Sequence, residues 1–513
     1  MNSSTPGTMV SFRLYSVRIA RWLARLVWNR CTGWTLICLV SLITLYWQWE
    51  NWRSAREMAA VHRRVIERLG TDDPFTLMPP KVADEDNYFA NPVFESWLHL
   101  APSGPPHPRY TPPANALLPA GFIRPEILVA DDDGDCDKLD LDNWIKKQRG
   151  PSNGPAATVL ARQLADGNGL LPKLAEGLNK PFSIIKPGQR EALETVGDNP
   201  WKVSLPDFHG LNDFLLQMGL HLRSAALAGD AQKTAATALI MLRFSEGTAR
   251  GGMVGCLVPL AAHNTTFSAL HEAMNHPAAW TEESLGRLQV RLGQFDDLQQ
   301  YQYAHGQEIL GVLFQLSYLR KHRDVLSELT QGGSFGSWWK KLAGDAFCFG
   351  MIHGPVGWHD ANVAFYSEWM LDLLGPPGPE TWLTAGSRSE TLLQRNKTGN
   401  SWPNPRRILG ALAIPHIGNI TRASAQTLFR RRCLIIACAL EKHRLKHGSF
   451  PESLDGVKGD LKLFQVTDPA RPALQLGYRL EPSGYLLWSA GPDAKDDSGQ
   501  AGKDWLWRMK REP

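Results

Sequence analysis

The stretch CTGWTLICLVSLITLYWQW, Cys31 to Trp49, runs for 19 residues without a charged side chain. No other feature constrains the fold as strongly. As an α-helix it spans about 28 Å, close to the hydrocarbon thickness of a bilayer. Arg13, Arg18, Arg21, Arg25 and Arg30 precede it, and residues 1–30 contain no acid. That one-sided charge predicts an N-terminus kept in the cytoplasm. Trp28, Trp34, Tyr46, Trp47, Trp49 and Trp52 lie near the two ends, where amphipathic rings favour the interface. The residues after the run are large, not the small ones a signal peptidase needs, so the segment is expected to remain as an anchor. The expectation is a basic cytoplasmic segment (1–30), a transmembrane helix (31–49) whose partner is the lipid bilayer, and the bulk of the chain outside the inner membrane.

Charge excludes one class of partner. The chain has 55 Lys+Arg against 51 Asp+Glu, and five of those arginines lie before the apolar run. The remainder is nearly neutral, with no basic face for nucleic acid. At 513 residues and 43% hydrophobic content the chain has the length for about three folded units. Its seven cysteines form neither a disulfide framework nor a C-x-x-C metal motif.

Residues 50–150 are expected to continue the first helix and then pass into a connecting region. Eleven prolines fall between Pro79 and Pro125, and an acidic turn region follows at 127–144. Residues 151–410 are expected to be mostly helical. Leu211, Phe214, Leu215, Met218, Leu222 and Ala225 mark one helix face, Gly229-Asp230 breaks it, and Ala235, Leu239 and Leu242 resume the period. This hairpin is tetratricopeptide-like, although no 34-residue repeat is present. Thr281 is placed to cap a further helix. The segment 420–513 reads as a helix from about Ser424 to His447, stopped by Gly448 and Pro451. Strand candidates follow at 461–466, 474–480 and 484–490. The predicted fold class is mainly α: a transmembrane helix, a helical ectodomain, and a small α+β module with an antiparallel sheet.

The phrase ALEKHRLKHGSFPESLDGV, then DP, then LGYRLEPSGYLLWSAGPDAKDD resembles the C-terminal half of the major pseudopilin of type II secretion. The likeness covers roughly residues 425–507. It implies one helix on an antiparallel sheet, closed by a calcium-binding loop. By that resemblance Asp493 and Asp504 match two loop acids, and Ser489, Asp496 and Asp497 complete a candidate calcium set. Ala494 stands where the family has Gly. Gly33-Trp34-Thr35-Leu36-Ile37-Cys38 resembles the family's processing site, but Cys38 replaces its membrane-buried acid. The whole chain also looks like an uncharacterised group of bacterial single-span envelope proteins.

Other clusters carry weaker chemistry. DDDGDCDKLDLD puts Asp131, Asp133, Asp135 and Asp142 in an EF-hand-like register, but Cys136 takes the place of the turn Gly. His271 and His276 are five apart, so on a helix they diverge and cannot make a zincin pair. His353, His359 and Asp360 have no ligand spacing, and His305 with Glu308 reads as a buried polar pair. No P-loop, nucleophile elbow or dinucleotide motif is present. The expected role is structural or protein-interacting, with an envelope protein as partner and no catalytic residues. A divergent pseudopilin-like secretion component and an envelope hydrolase are the alternatives.

Overall fold

In a computed structural model the chain is described at residues 30–77, 80–95, 98–100, 108–110, 169–185, 194, 208–247, 252–295, 297–326, 348–375, 382–399, 404–414, 418–464 and 466–510. The helices longer than one turn are α1 (Arg30–Leu69), α2 (Leu170–Ala175), α3 (Phe208–Leu227), α4 (Ala231–Gly247), α5 (Gly252–Met274), α6 (Glu282–Gly293), α7 (Asp297–Lys321), α8 (Gly357–Leu374), α9 (Trp382–Gly399), α10 (Ile408–Ala413) and α11 (Gly418–His447). Strands β1 (Leu98–Leu100) and β2 (Pro108–Tyr110) form a short ribbon, while β3 (Gly477–Glu481), β4 (Gly484–Ser489) and β5 (Trp505–Lys510) form an antiparallel meander. The fold is mainly helical, with one small antiparallel sheet, as the sequence predicts.

The chain divides into two compact units. The first comprises residues 1–63, 319–365 and 403–411. Its part of α1 is apolar and exposed: Trp34, Leu36, Ile37, Leu39, Val40, Leu42, Ile43, Leu45, Trp47 and Trp49 all face outward. Among the described residues, however, no helix is long and apolar enough to cross a membrane. For the segment 31–49 the structure supports the coarser part of the expectation, a long helix with an exposed apolar half. Its aliphatic run, Leu36–Leu45, is flanked by Trp, Thr, Tyr and Gln side chains that dilute it.

Just beyond that half the same helix is gripped. Glu50 is 1% exposed, and Arg406 donates to its carboxylate and, at 2.5 Å, to Glu57. The Gly357 N–H donates to Asn51 at 2.8 Å, and a Cβ at Gly357 would lie 2.6 Å from the Glu50 carbonyl oxygen. Asn362 donates to the Trp358 and Pro405 carbonyls and accepts from the Gly410 N–H.

The second unit comprises residues 64–318, 366–402 and 412–513 and carries the main core. Helices α3 and α4 pack on each other, joined at Gly229, whose φ is +68°. Leu211, Phe214, Leu215, Met218 and Leu222 of α3 are buried as predicted, but on α4 the core face is Ala238, Met241 and Leu242, with Ala235 and Leu239 only half-buried. The expected helical hairpin is thus present. Thr281 caps α6 reciprocally with Ser284. Cys433 to Leu440 on α11 are buried on every side, surrounded by α5, α6 and the sheet. Gln289 and Arg431 stitch α6 to α11 through main-chain carbonyls of Ile435 and Leu292.

Two strand expectations need correction. Residues 461–466 are not a strand: a short helix ends at Leu461, and Leu463 is left 89% exposed in the turn after it. The alternation of LKLFQV serves a turn, which anchors itself by placing Phe464 against Gly293. The third strand is instead WLWRMK at 505–510, with Trp507 and Met509 fully buried. The segment 420–513 is also not a separate core, because its buried residues are continuous with those of α3–α6.

Candidate functional site

The β4–β5 connection carries the predicted calcium set, and its geometry is that of a turn closed by amides. Asp504 accepts the N–H groups of Asp497, Gly499 and Gln500 at 3.3, 2.7 and 3.2 Å. Asp496 accepts from the Trp488 indole at 2.9 Å, the Ser498 N–H at 2.9 Å and Arg471 at 3.0 Å. The indole donor, then the Ser498 amide, hold its carboxyl below the ordinary range. Asp497 pairs with Lys503 at 3.2 Å, and Asp493 accepts the Lys495 N–H at 3.1 Å.

Ser489 lies in a different cluster. Its hydroxyl donates to Asp468, which is wholly buried and also accepts the Ala470 and Ala490 N–H groups at 2.8 and 3.1 Å. Arg471 links the clusters by reaching both Asp468 and Asp496. The five predicted ligands therefore do not converge. Among the described residues no group of three His, Cys, Asp or Glu side chains is arranged to hold a metal. Arg471 and Lys503 each occupy one carboxylate oxygen of this set, on Asp496 and Asp497. Asp468 is the residue that sequence reasoning passed over. Its only signal was the Asp-Pro pair within the pseudopilin-like phrase.

The remaining sequence candidates divide into those outside the described residues and those engaged by neighbouring groups. Asp131, Asp133, Asp135, Cys136 and Asp142 lie outside the described residues. His271 stacks on Trp507 with ring centroids 3.9 Å apart, and its Nε2 bonds to the Arg508 carbonyl at 2.9 Å. His305 is fully buried and donates to the Tyr301 carbonyl at 2.8 Å, not to Glu308. Burial pushes its pKa down to about 4. His359 donates to the Met351 carbonyl at 3.0 Å and is likewise depressed by burial. Asp360 pairs with Arg320 at 2.8 Å, yet burial still raises its carboxyl above the usual range.

Two grooves open on the second unit. The larger, about 1030 Å³, is bordered by Arg64, Arg68, Asp372 and Arg388. Arg64 pairs with Glu368 and Asp372 at 3.1 and 3.3 Å. Arg68 and Arg388 donate to the Gly375 and Leu373 carbonyls at 3.0 and 2.8 Å. These cations chiefly satisfy the end of α8. The smaller groove, about 410 Å³, lies between α4 and α6. Behind it Arg243 and Arg291 share the carboxylate of Glu246. Burial raises the Glu246 pKa in spite of both guanidinium groups. With this geometry in view, no family model, curated protein or solved structure matches the chain.

Proposed function

We propose that the chain is a membrane-anchored envelope protein with a structural or protein-interacting role, held to the bilayer by the exposed half of α1. The observation that carries this reading is a change of environment within one continuous helix. Side chains from Trp34 to Trp49 are exposed, and the next residue, Glu50, is buried in an ion pair. Leaving ten or so large apolar side chains in water is unfavourable by roughly 1.5–3 kcal/mol each, and lipid is the medium that removes that cost. Thr44 donates to the Val40 carbonyl at 2.8 Å, so its hydroxyl asks nothing of the hydrocarbon. The flanking tryptophans and Tyr46 suit the interface, and the arginines before residue 31 favour a cytoplasmic N-terminus. The engaged state of His359, Asp360 and His271 favours a non-enzymatic role over a hydrolase.

Alkaline extraction of native membranes, followed by protease treatment of sealed vesicles, tests the reading. The full chain is expected to stay with the membrane and to be digested only from the outer face. Release of the full chain by alkaline carbonate rules it out. The second reading is a pseudopilin-like secretion component. It is favoured by the order of the C-terminal elements, a long helix followed by an antiparallel sheet with an acidic loop. Phe429 of α11 lies 6.1 Å from Trp505 of β5. N-terminal sequencing separates the two: a mature chain beginning at Trp34 supports the processed form, and an intact leader supports the plain anchor.

A further inference from the structure

We propose that the groove between α4 and α6 binds a small organic anion, a carboxylate carrying a short apolar arm. The local charge is unbalanced. Arg243 Nη1 donates to Glu246 at 2.6 Å, and Arg291 donates to the same carboxylate oxygen. One carboxylate between two guanidinium groups leaves a positive charge in a half-buried setting. Arg287 adds a third cation on the groove wall and makes no hydrogen bond or ion pair among the described residues. Glu283 also lines the groove, four residues earlier on α6, but it forms no ion pair with Arg287. The wall therefore carries an excess of one positive charge.

The cationic side is rigid. Arg243 is 3% exposed and its guanidinium is fixed by the Lys180 and Phe182 carbonyls. Arg291 is tied to Gln294 at 2.8 Å. Their donors are taken by Glu246, Gln294 and main-chain carbonyls, so they contribute a fixed positive field, and the hydrogen bonds to a bound carboxylate come from Arg287. The groove is also lined by the apolar side chains of Leu178, Leu239 and Val290, and Val290 is 55% exposed. Gly286 keeps the floor open, because a Cβ there would meet nothing within 4 Å. A volume of about 410 Å³ is that of a small-molecule site. The proposal does not rest on the membrane reading.

Isothermal titration of the detergent-solubilised full chain with hexanoate, hexanamide and inorganic phosphate tests it. Hexanoate is expected to bind at least tenfold more tightly than either of the others. Arg287→Ala, an exposed change that leaves the fold intact, is expected to weaken hexanoate at least tenfold. Gly286→Leu is expected to abolish binding by filling the floor, with an unchanged melting temperature reporting that the fold survives. Equal affinity for hexanoate and hexanamide, an unchanged affinity in Arg287→Ala, or no heat with hexanoate at 10 mM overturns the proposal. Phosphate binding as tightly as hexanoate removes the apolar arm and overturns it as stated.

Discussion

At the scale of single residues, His305 and Ala494 carry the sharpest consequences. His305 has no exposure, and its pKa of about 4 lies below the ordinary value of 6.5. Between those values the unfolded chain binds a proton that the folded one refuses, so stability falls as pH drops from 6.5 towards 4. The full loss is on the order of 3 kcal/mol. A His305→Gln variant is expected to flatten the pH dependence of the melting temperature across that window. An equally steep curve in the variant places the effect elsewhere. Ala494 adopts a φ of +60°, a conformation that costs a non-glycine residue roughly 1 kcal/mol. Ala494→Gly is therefore expected to raise the denaturant midpoint by the equivalent of about 0.5–1 kcal/mol, and a fall would show that the turn needs its methyl group. Ala494 stands where the resembled family has Gly, and its positive φ is the conformation that Gly adopts most readily. The resemblance did not reveal that the loop acids face N–H groups, because sequence shows which residues are acidic but not which donors they meet. Asp468 was overlooked for the same reason, since its burial depends on Ser489 and Ala490, about twenty residues away.

At the scale of elements, α1 was largely legible. Its helix formers and lack of breakers after Gly33 predict one continuous helix past residue 50, and Arg30–Leu69 is one helix. The grip of Arg406 on Glu50 was not legible, because 356 residues separate the pair. Arg406→Met leaves Glu50 buried without its cation, which costs about 3 kcal/mol. Hydrogen exchange at residues 50–57 is expected to accelerate in that variant, and adding Glu50→Gln is expected to restore part of the protection. No change in exchange would mean that the apolar contacts of α1 hold this turn without the ion pair. The β4–β5 loop makes a second element-scale prediction. Its carboxylates are already met by Arg471, Lys503 and backbone amides, so millimolar calcium is expected to leave the melting temperature unchanged. A rise that disappears in Asp493→Ala would restore the calcium reading.

At the scale of the whole molecule, the division into consecutive segments was the least legible feature. Periodicity marks the helices one by one, but each unit is assembled from three separated stretches of chain. Within the second unit, Trp507 of β5 stacks on His271 of α5 and belongs to the same buried cluster as Phe214, Phe244 and Cys438. The sheet therefore shares its apolar core with α3–α6 and α11, and the C-terminal resemblance covers a region that is not separate in the fold. Cutting Trp507 to Ala removes a fully buried indole and costs about 3–5 kcal/mol. If the core is shared, that loss is felt throughout the unit. Hydrogen exchange in α3 and α6 should then accelerate to the same degree as in β4, with thermal unfolding of the second unit remaining a single transition. If α3 and α6 keep their protection while β4 loses it, the sheet is an autonomous module and the shared-core description fails.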